Sequence, residues 1–296
     1  MSAQRLWGCG TALVTPFAGD GSIDEGALKE LVDWQIEQGI HFLVPCGSTG
    51  EAATMSVDEQ RRVVELVVKR AAGRVPILAG AASNDTKKAI DLSRIMRDAG
   101  ATHLLHTSPM YNKPPQRGIV AHYQAIAAAV DLPIVIYNIP GRTGSNVEAK
   151  TTLELARSPQ IAAVKEASGL IGQIADILRA RPSTLAVLSG DDELTLPVMS
   201  LGGDGIVSVI ANAVPKPMSQ LCERMRDGNL AAAREIHLGL LPLMRAAFVE
   251  SNPIPIKAAM SLMGRMKNVL RLPLVPLDDT HTAALRAALQ HAGAGV

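Results

Sequence analysis

A (β/α)8 barrel extended by C-terminal helices is the fold this sequence predicts. Three observations carry the expectation. Eight short apolar runs recur at spacings of roughly 20 to 35 residues, and helical patterns lie between most of them, the alternation of a parallel sheet. The 296 residues exceed the roughly 250 typical of such a barrel by about one helical extension. Aromatics make up only 3% of a chain that is 47% hydrophobic, so the core has to be built from Val, Ile, Leu, Ala and Met.

In chain order the runs are "GTALVTPF" (10–17), "HFLVPCGS" (41–48), "VPILAGAA" (75–82), "HLLHTSP" (103–109), "PIVIYNIP" (133–140), "IAAVKEAS" (161–168), "LAVLSGDD" (185–192) and "GIVSVIAN" (205–212). Two helix starts are marked by Ser22 with Glu25 and by Ser56 with Glu59, each at capping-box spacing. Each pattern closes on a glycine, Gly39 or Gly73. The barrel is assigned to residues 1–225 and the helical extension to 226–296. A doubly wound open sheet would need a phosphate-binding glycine loop after a strand. "GCG" (8–10) precedes its predicted strand and lacks the third glycine, and "GGDG" (202–205) reads as a turn.

Charge and cysteines narrow the function. With 29 basic and 28 acidic residues and no basic block, no nucleic-acid partner is expected. Cys9, Cys46 and Cys222 are far apart and odd in number, which fits a reducing cytoplasm rather than disulfides or zinc. The N-terminus lacks a signal-peptide pattern, and no apolar run reaches about 18 residues, so no membrane partner is expected. The stretch "LGLLPLMRAAFVE" is interrupted by Pro242 and Arg245.

Barrel enzymes place their chemistry at the carboxyl ends of strands. Those ends here present Thr15-Pro16-Phe17, Gly47-Ser48-Thr49-Gly50-Glu51, Tyr111-Asn112, Tyr137-Asn138 with Arg142 beyond, Lys165-Glu166, and Gly190-Asp191-Asp192. His103 and His106 are three apart and so face opposite sides of a strand; no metal is expected, and no histidine stands at a strand tip to serve a Ser–His–Asp relay. Lys165 is the exception that asks for chemistry. An ammonium at the end of an apolar strand is destabilised, its pKa falls, and the neutral amine can attack a ketone. The competing structural reading is a lysine that snorkels to solvent. Tyr137 on the adjacent tip suits proton relay, the Ser48–Thr49 turn suits a carboxylate, and the Arg142 fork suits a second one. Glu166 points to the opposite strand face and is given no catalytic role, and Cys46 is read as core packing.

The motifs "GSTGEAATM", "YNIPGRTG", "VKEAS", "SGDD" and "ESNPIPIK", in this order and across essentially the whole chain, resemble the dihydrodipicolinate synthase and N-acetylneuraminate lyase group of pyruvate-dependent class I aldolases. The resemblance implies a Schiff base between Lys165 and pyruvate, and no cofactor besides that covalent bond. It implies a proton relay of Ser48, Tyr137 and Tyr111, with Tyr111 reaching in from a neighbouring subunit on the exchanged arm "SPMYNKPPQRG". It places Thr49 on the pyruvate carboxylate, Arg142 on the carboxylate of aspartate semialdehyde, and Gly190 and Val207 as backbone contacts near the lysine. A cytoplasmic homotetramer, built as a dimer of dimers, follows from the same resemblance. "YNIPGRTG" and "SNPIPIK" favour the branch that condenses pyruvate with L-aspartate 4-semialdehyde to 4-hydroxy-tetrahydrodipicolinate, on the diaminopimelate route to lysine.

The sequence departs from the pattern in places. Ser48 stands where threonine is more frequent, which keeps the hydroxyl. Val57, Gln60, Lys88 and Met110 stand where lysine-inhibited members carry histidines, a glutamate and a tyrosine, so feedback by lysine is expected to be weak or absent. Met110 and Ser48 leave an aldolase acting on a 2-keto-3-deoxy sugar acid or on 4-hydroxy-2-oxoglutarate as the alternative. A pyruvate-binding protein without turnover is the non-enzymatic one.

Overall fold

In the computed structural model, which describes residues 5–296, all eight apolar runs contribute strands, parallel and joined in chain order. They are β1 (Gly8–Ala12), β2 (Phe42–Val44), β3 (Leu78–Gly80), β4 (His103–Thr107), β5 (Ile134–Asn138), β6 (Ile161–Glu166), β7 (Ala186–Ser189) and β8 (Gly205–Ser208). β8 returns to pair with β1, and a parallel bridge between Leu43 and Ile77 joins β2 to β3. The sheet therefore closes into the predicted (β/α)8 barrel. The β2–β3 seam is tight: a methyl group at Gly80 would sit 1.9 Å from the Cys46 carbonyl oxygen, so only glycine fits there.

Helices α1 (Glu25–Glu37), α2 (Val57–Ala71), α3 (Thr86–Asp98), α4 (Gln116–Ala129), α5 (Pro140–Thr143), α6 (Ala149–Leu155), α7 (Ile171–Ala180) and α8 (Thr195–Ser200) lie between the strands in sequence. α9 (Pro215–Arg226) packs on β1 and β8, and α10 (Leu230–Ala246), α11 (Ile254–Leu262) and α12 (Asp279–His291) follow it. α10 runs through Pro242 rather than ending there.

Two local expectations need correction. The Ser22–Glu25 capping box does not form. Asp24 caps α1 instead, accepting from Ala27 N, while Ser22 turns back to Asp20; an aspartate one residue before the helix outcompetes a serine three before it. The Ser56–Glu59 box is present with both reciprocal bonds. β1 also begins two residues early and includes "GCG". Glycine disguises the strand in sequence, and its use is steric: a methyl at Gly10 would come within 2.0 Å of the Phe42 ring.

The apolar residues divide by strand face. Outward residues such as Leu104, Ile136 and Val164 pack under the helices. Inward residues, among them Val44, Leu105, Val135, Ala163, Leu188 and Val207, fill the barrel. Lys165 follows Ala163 by two, so the alternation turns it inward at the carboxyl end.

A buried ion pair fixes the C-terminal helices to that end. Lys257 on α11 is fully buried. Its Nζ donates to the Glu51 carboxylate at 2.5 Å and to Thr15 O at 3.0 Å, and lies 4.3 Å from the Phe17 ring centroid. The second Glu51 oxygen accepts from Arg271 N at 3.0 Å, and the Arg271 guanidinium forks onto Glu59. Lys257→Met leaves a buried carboxylate without its cation and is expected to destabilise the protein by about 3–5 kcal/mol in urea unfolding. Adding Glu51→Leu should recover most of that loss; a double variant no more stable than the single one would contradict the account.

Candidate active site

The site begins with two neighbouring strand ends. Tyr137 on β5 and Lys165 on β6 are direct register partners, and the Lys165 Nζ lies 3.9 Å from the Tyr137 ring centroid. Both side chains are buried. Burial among apolar neighbours lowers the Lys165 pKa to about 7; the nearby Asp192 carboxylate opposes the shift and the Arg142 guanidinium adds to it. The neutral amine is therefore well populated at neutral pH. Burial acts the other way on Tyr137 and pushes its hydroxyl to about 12, so it stays protonated and available as a donor.

The next two strands shape the space around the amine. A methyl at Gly190 would stand 3.0 Å from Lys165 Cε and 2.8 Å from Ala167 Cβ, so the absent side chain gives the lysine its channel. Val207 faces inward from β8 and is buried. Asp192 is buried too; its carboxylate accepts from Ser208 Oγ at 2.5 Å and from Val209 N at 3.0 Å, stitching the end of β7 to that of β8. Burial raises its pKa to about 6. Asp191 instead caps the following turn through Glu193 N, so the two adjacent aspartates do diverge.

The turn after β2 carries Ser48 and Thr49. Gly50 N and Glu51 N close back onto Gly47 O and Ser48 O at 3.1 Å each. Ser48 is exposed and Thr49 buried. Thr49 Oγ1 accepts from Asn252 Nδ2 at 2.9 Å. The Asn252 carbonyl oxygen accepts from Arg142 Nη2, also at 2.9 Å. Arg142 sits on the short α5 just past the β5 tip, with its backbone N–H bonded to Ile139 O.

Tyr111 stands apart from these residues. It is 88% exposed with φ +71°, a left-handed conformation unusual for an aromatic residue. Glu166 is buried on the outer face, where it accepts from Asn138 Nδ2, Gln173 Nε2 and Ser168 N. His106 faces outward and contacts Ser93 on α3. Among the described residues, no group of three or more His, Cys, Asp or Glu could hold a metal, and no helix is long and apolar enough to cross a membrane.

Sequence reasoning gave no role to Asn252, Lys257 or Asp192. The first two stand in "ESNPIPIK", recognisable as a motif but more than 100 residues from the groups they bind. Asp192 gave one signal, an acidic residue at a strand tip, which its adjacency to Asp191 obscured.

Fold and site define a (β/α)8-barrel protein with a buried, readily deprotonated lysine at the carboxyl mouth, an arrangement suited to amine–carbonyl chemistry. The chain belongs to the dihydrodipicolinate synthetase family, whose model matches residues 5–292. It is 49% identical over 291 residues to the 4-hydroxy-tetrahydrodipicolinate synthase of Koribacter versatilis, covering 98% of this chain and 97% of that one. It is 48% identical over 291 residues to the same enzyme of Nitratidesulfovibrio vulgaris, covering 98% and 99%. Its structure is similar to that of the chloride-inhibited dihydrodipicolinate synthase of Acinetobacter baumannii complexed with pyruvate: TM-score 0.96, 41% identity, covering 97% and 99% of the two chains.

The lowered Lys165 pKa has a consequence for stability. Between pH 7 and the ordinary lysine value of about 10.5 the unfolded chain binds the proton that the folded one rejects, so stability rises with pH across that window. Lys165→Met is expected to remove this slope and to be more stable than the parent at pH 7, with the two converging above pH 10. Parallel melting curves with a constant offset would contradict the shift.

Proposed function

We infer that this protein condenses pyruvate with L-aspartate 4-semialdehyde to 4-hydroxy-tetrahydrodipicolinate, through a Schiff base on Lys165. The observation that carries the reading is the buried Lys165 amine, with a pKa near 7 and Tyr137 beside it, in a chain similar to 4-hydroxy-tetrahydrodipicolinate synthases along 98% of its length.

The neutral Lys165 amine attacks the pyruvate ketone carbon. Protonation of the carbinolamine hydroxyl releases water and leaves a cationic imine. The imine withdraws electrons, a methyl proton departs, and an enamine forms. Its terminal carbon bonds to the aldehyde carbon of the semialdehyde, whose oxygen takes up a proton. The semialdehyde amine then adds to the imine carbon, closes the ring and expels Lys165. No metal or prosthetic group enters these steps.

Tyr137 and Ser48 exchange protons in this reading, with Tyr111 supplied by a neighbouring copy. The exposure and left-handed backbone of Tyr111 suit a side chain whose contacts are made outside its own subunit. Thr49 holds the pyruvate carboxylate and Arg142 that of the semialdehyde, while Gly190 and Val207 bound the pocket at the lysine. The assembly is a cytoplasmic homotetramer. Lysine feedback is weak or absent: Val57 is apolar and half-exposed, and the Gln60 amide already donates to Ala52 O and Met55 O.

Pyruvate consumption with aspartate semialdehyde is expected to be rapid in the parent and lost in Lys165→Ala. Arg142→Leu should lower kcat/KM for the semialdehyde at least 100-fold while pyruvate is still trapped on Lys165 by borohydride, because a charged fork on a carboxylate contributes about 3 kcal/mol. Trapping of pyruvate without consumption of the semialdehyde would move the assignment to the sugar-acid aldolases.

A further inference from the structure

Asn252 is the point where the two carboxylate-binding groups meet. Its side-chain Nδ2 donates to Thr49 Oγ1 at 2.9 Å, and its backbone oxygen accepts from Arg142 Nη2 at 2.9 Å. The residue is 6% exposed. The amide directs its N–H at one oxygen, that of the Thr49 hydroxyl.

A threonine hydroxyl has one proton and two lone pairs. When an N–H fills a lone pair on the Thr49 oxygen, the hydroxyl cannot spend its proton on the same neighbour, and the proton is left to be donated elsewhere. A carboxylate offers acceptors only. We propose that Asn252 is a positioning residue that commits the Thr49 hydroxyl to donate into the pyruvate carboxylate subsite. This rests on the assignment of that carboxylate to Thr49. Asn252 acts through Thr49 and touches neither reacting carbon. Its second bond is made by the backbone, so a change of side chain loosens Thr49 while the anchor of Arg142 is retained. The amide reaches the site from the segment just before α11, the helix held in place by the Glu51–Lys257 pair.

A double-mutant cycle tests this. Asn252→Leu removes the N–H with little change in volume, and Thr49→Val removes the hydroxyl it acts on. The readout is the pyruvate concentration giving half-maximal borohydride trapping on Lys165, with the KM for aspartate semialdehyde measured alongside. Asn252→Leu is expected to raise the pyruvate value about fivefold, the equivalent of one neutral hydrogen bond, and to leave the KM for the semialdehyde within twofold. The double variant should match Thr49→Val alone. Additive effects of the two changes, or an equal rise in both substrate constants, would overturn the proposal in favour of a merely structural residue. Asn252→Ala carries the same comparison if the leucine variant does not fold. Absence of a pyruvate adduct in the parent protein would overturn the proposed function and this inference together; normal trapping with additivity would overturn only the inference.

Discussion

The desolvation of one amine governs the site. Lys165 lies where the inner face of the barrel is mostly Val, Leu and Ala, and among the described residues no carboxylate bonds to it directly. Asp192 exerts an opposing field, but its oxygens are already engaged by Ser208 and by backbone N–H groups. Full ionisation would need a counter-charge that the barrel does not place in contact, so the amine is held close to neutrality. Tyr137 completes the arrangement. Its ring face attracts the cation when the proton is present, and its hydroxyl, kept protonated by the same burial, is a donor when the proton is absent.

The helices beyond the barrel belong to this site. Lys257 and Arg271 converge on Glu51, which closes the turn bearing Ser48 and Thr49, and Asn252 links Thr49 to the anchor of Arg142. A turn rich in glycine has several conformations of similar energy. Here it is over-determined by bonds from a segment more than 200 residues away. Such bonds supply the preorganisation on which binding of a small acid depends, and they make the mouth of the barrel and the C-terminal helices one mechanical unit.

The eight strands, the Ser56 capping box and the inward turn of Lys165 were legible in the sequence because each follows from local periodicity or from spacing along one strand. The divergence of Asp191 and Asp192 and the outward placement of Glu166 were legible for the same reason. The start of β1 was misplaced by two residues because Gly8 carries no β signal, and the use of Gly8 and Gly10 depends on His41 and Phe42 across the sheet. The partners of Asn252 and Lys257 could not be read, since a hydrogen bond between distant segments leaves no periodic trace. Tyr111 shows the same limit: its place in the motif order implies catalysis, whereas within its own chain it is a surface residue with a strained backbone.

The most direct measurement is the pH dependence of pyruvate trapping on Lys165, followed by mass spectrometry of the reduced adduct at saturating borohydride. The rate is expected to rise through an inflection near pH 7, the signature of an amine deprotonating in an apolar pocket. An inflection near the ordinary lysine value of about 10.5, or an adduct carried by a lysine other than Lys165, would contradict it.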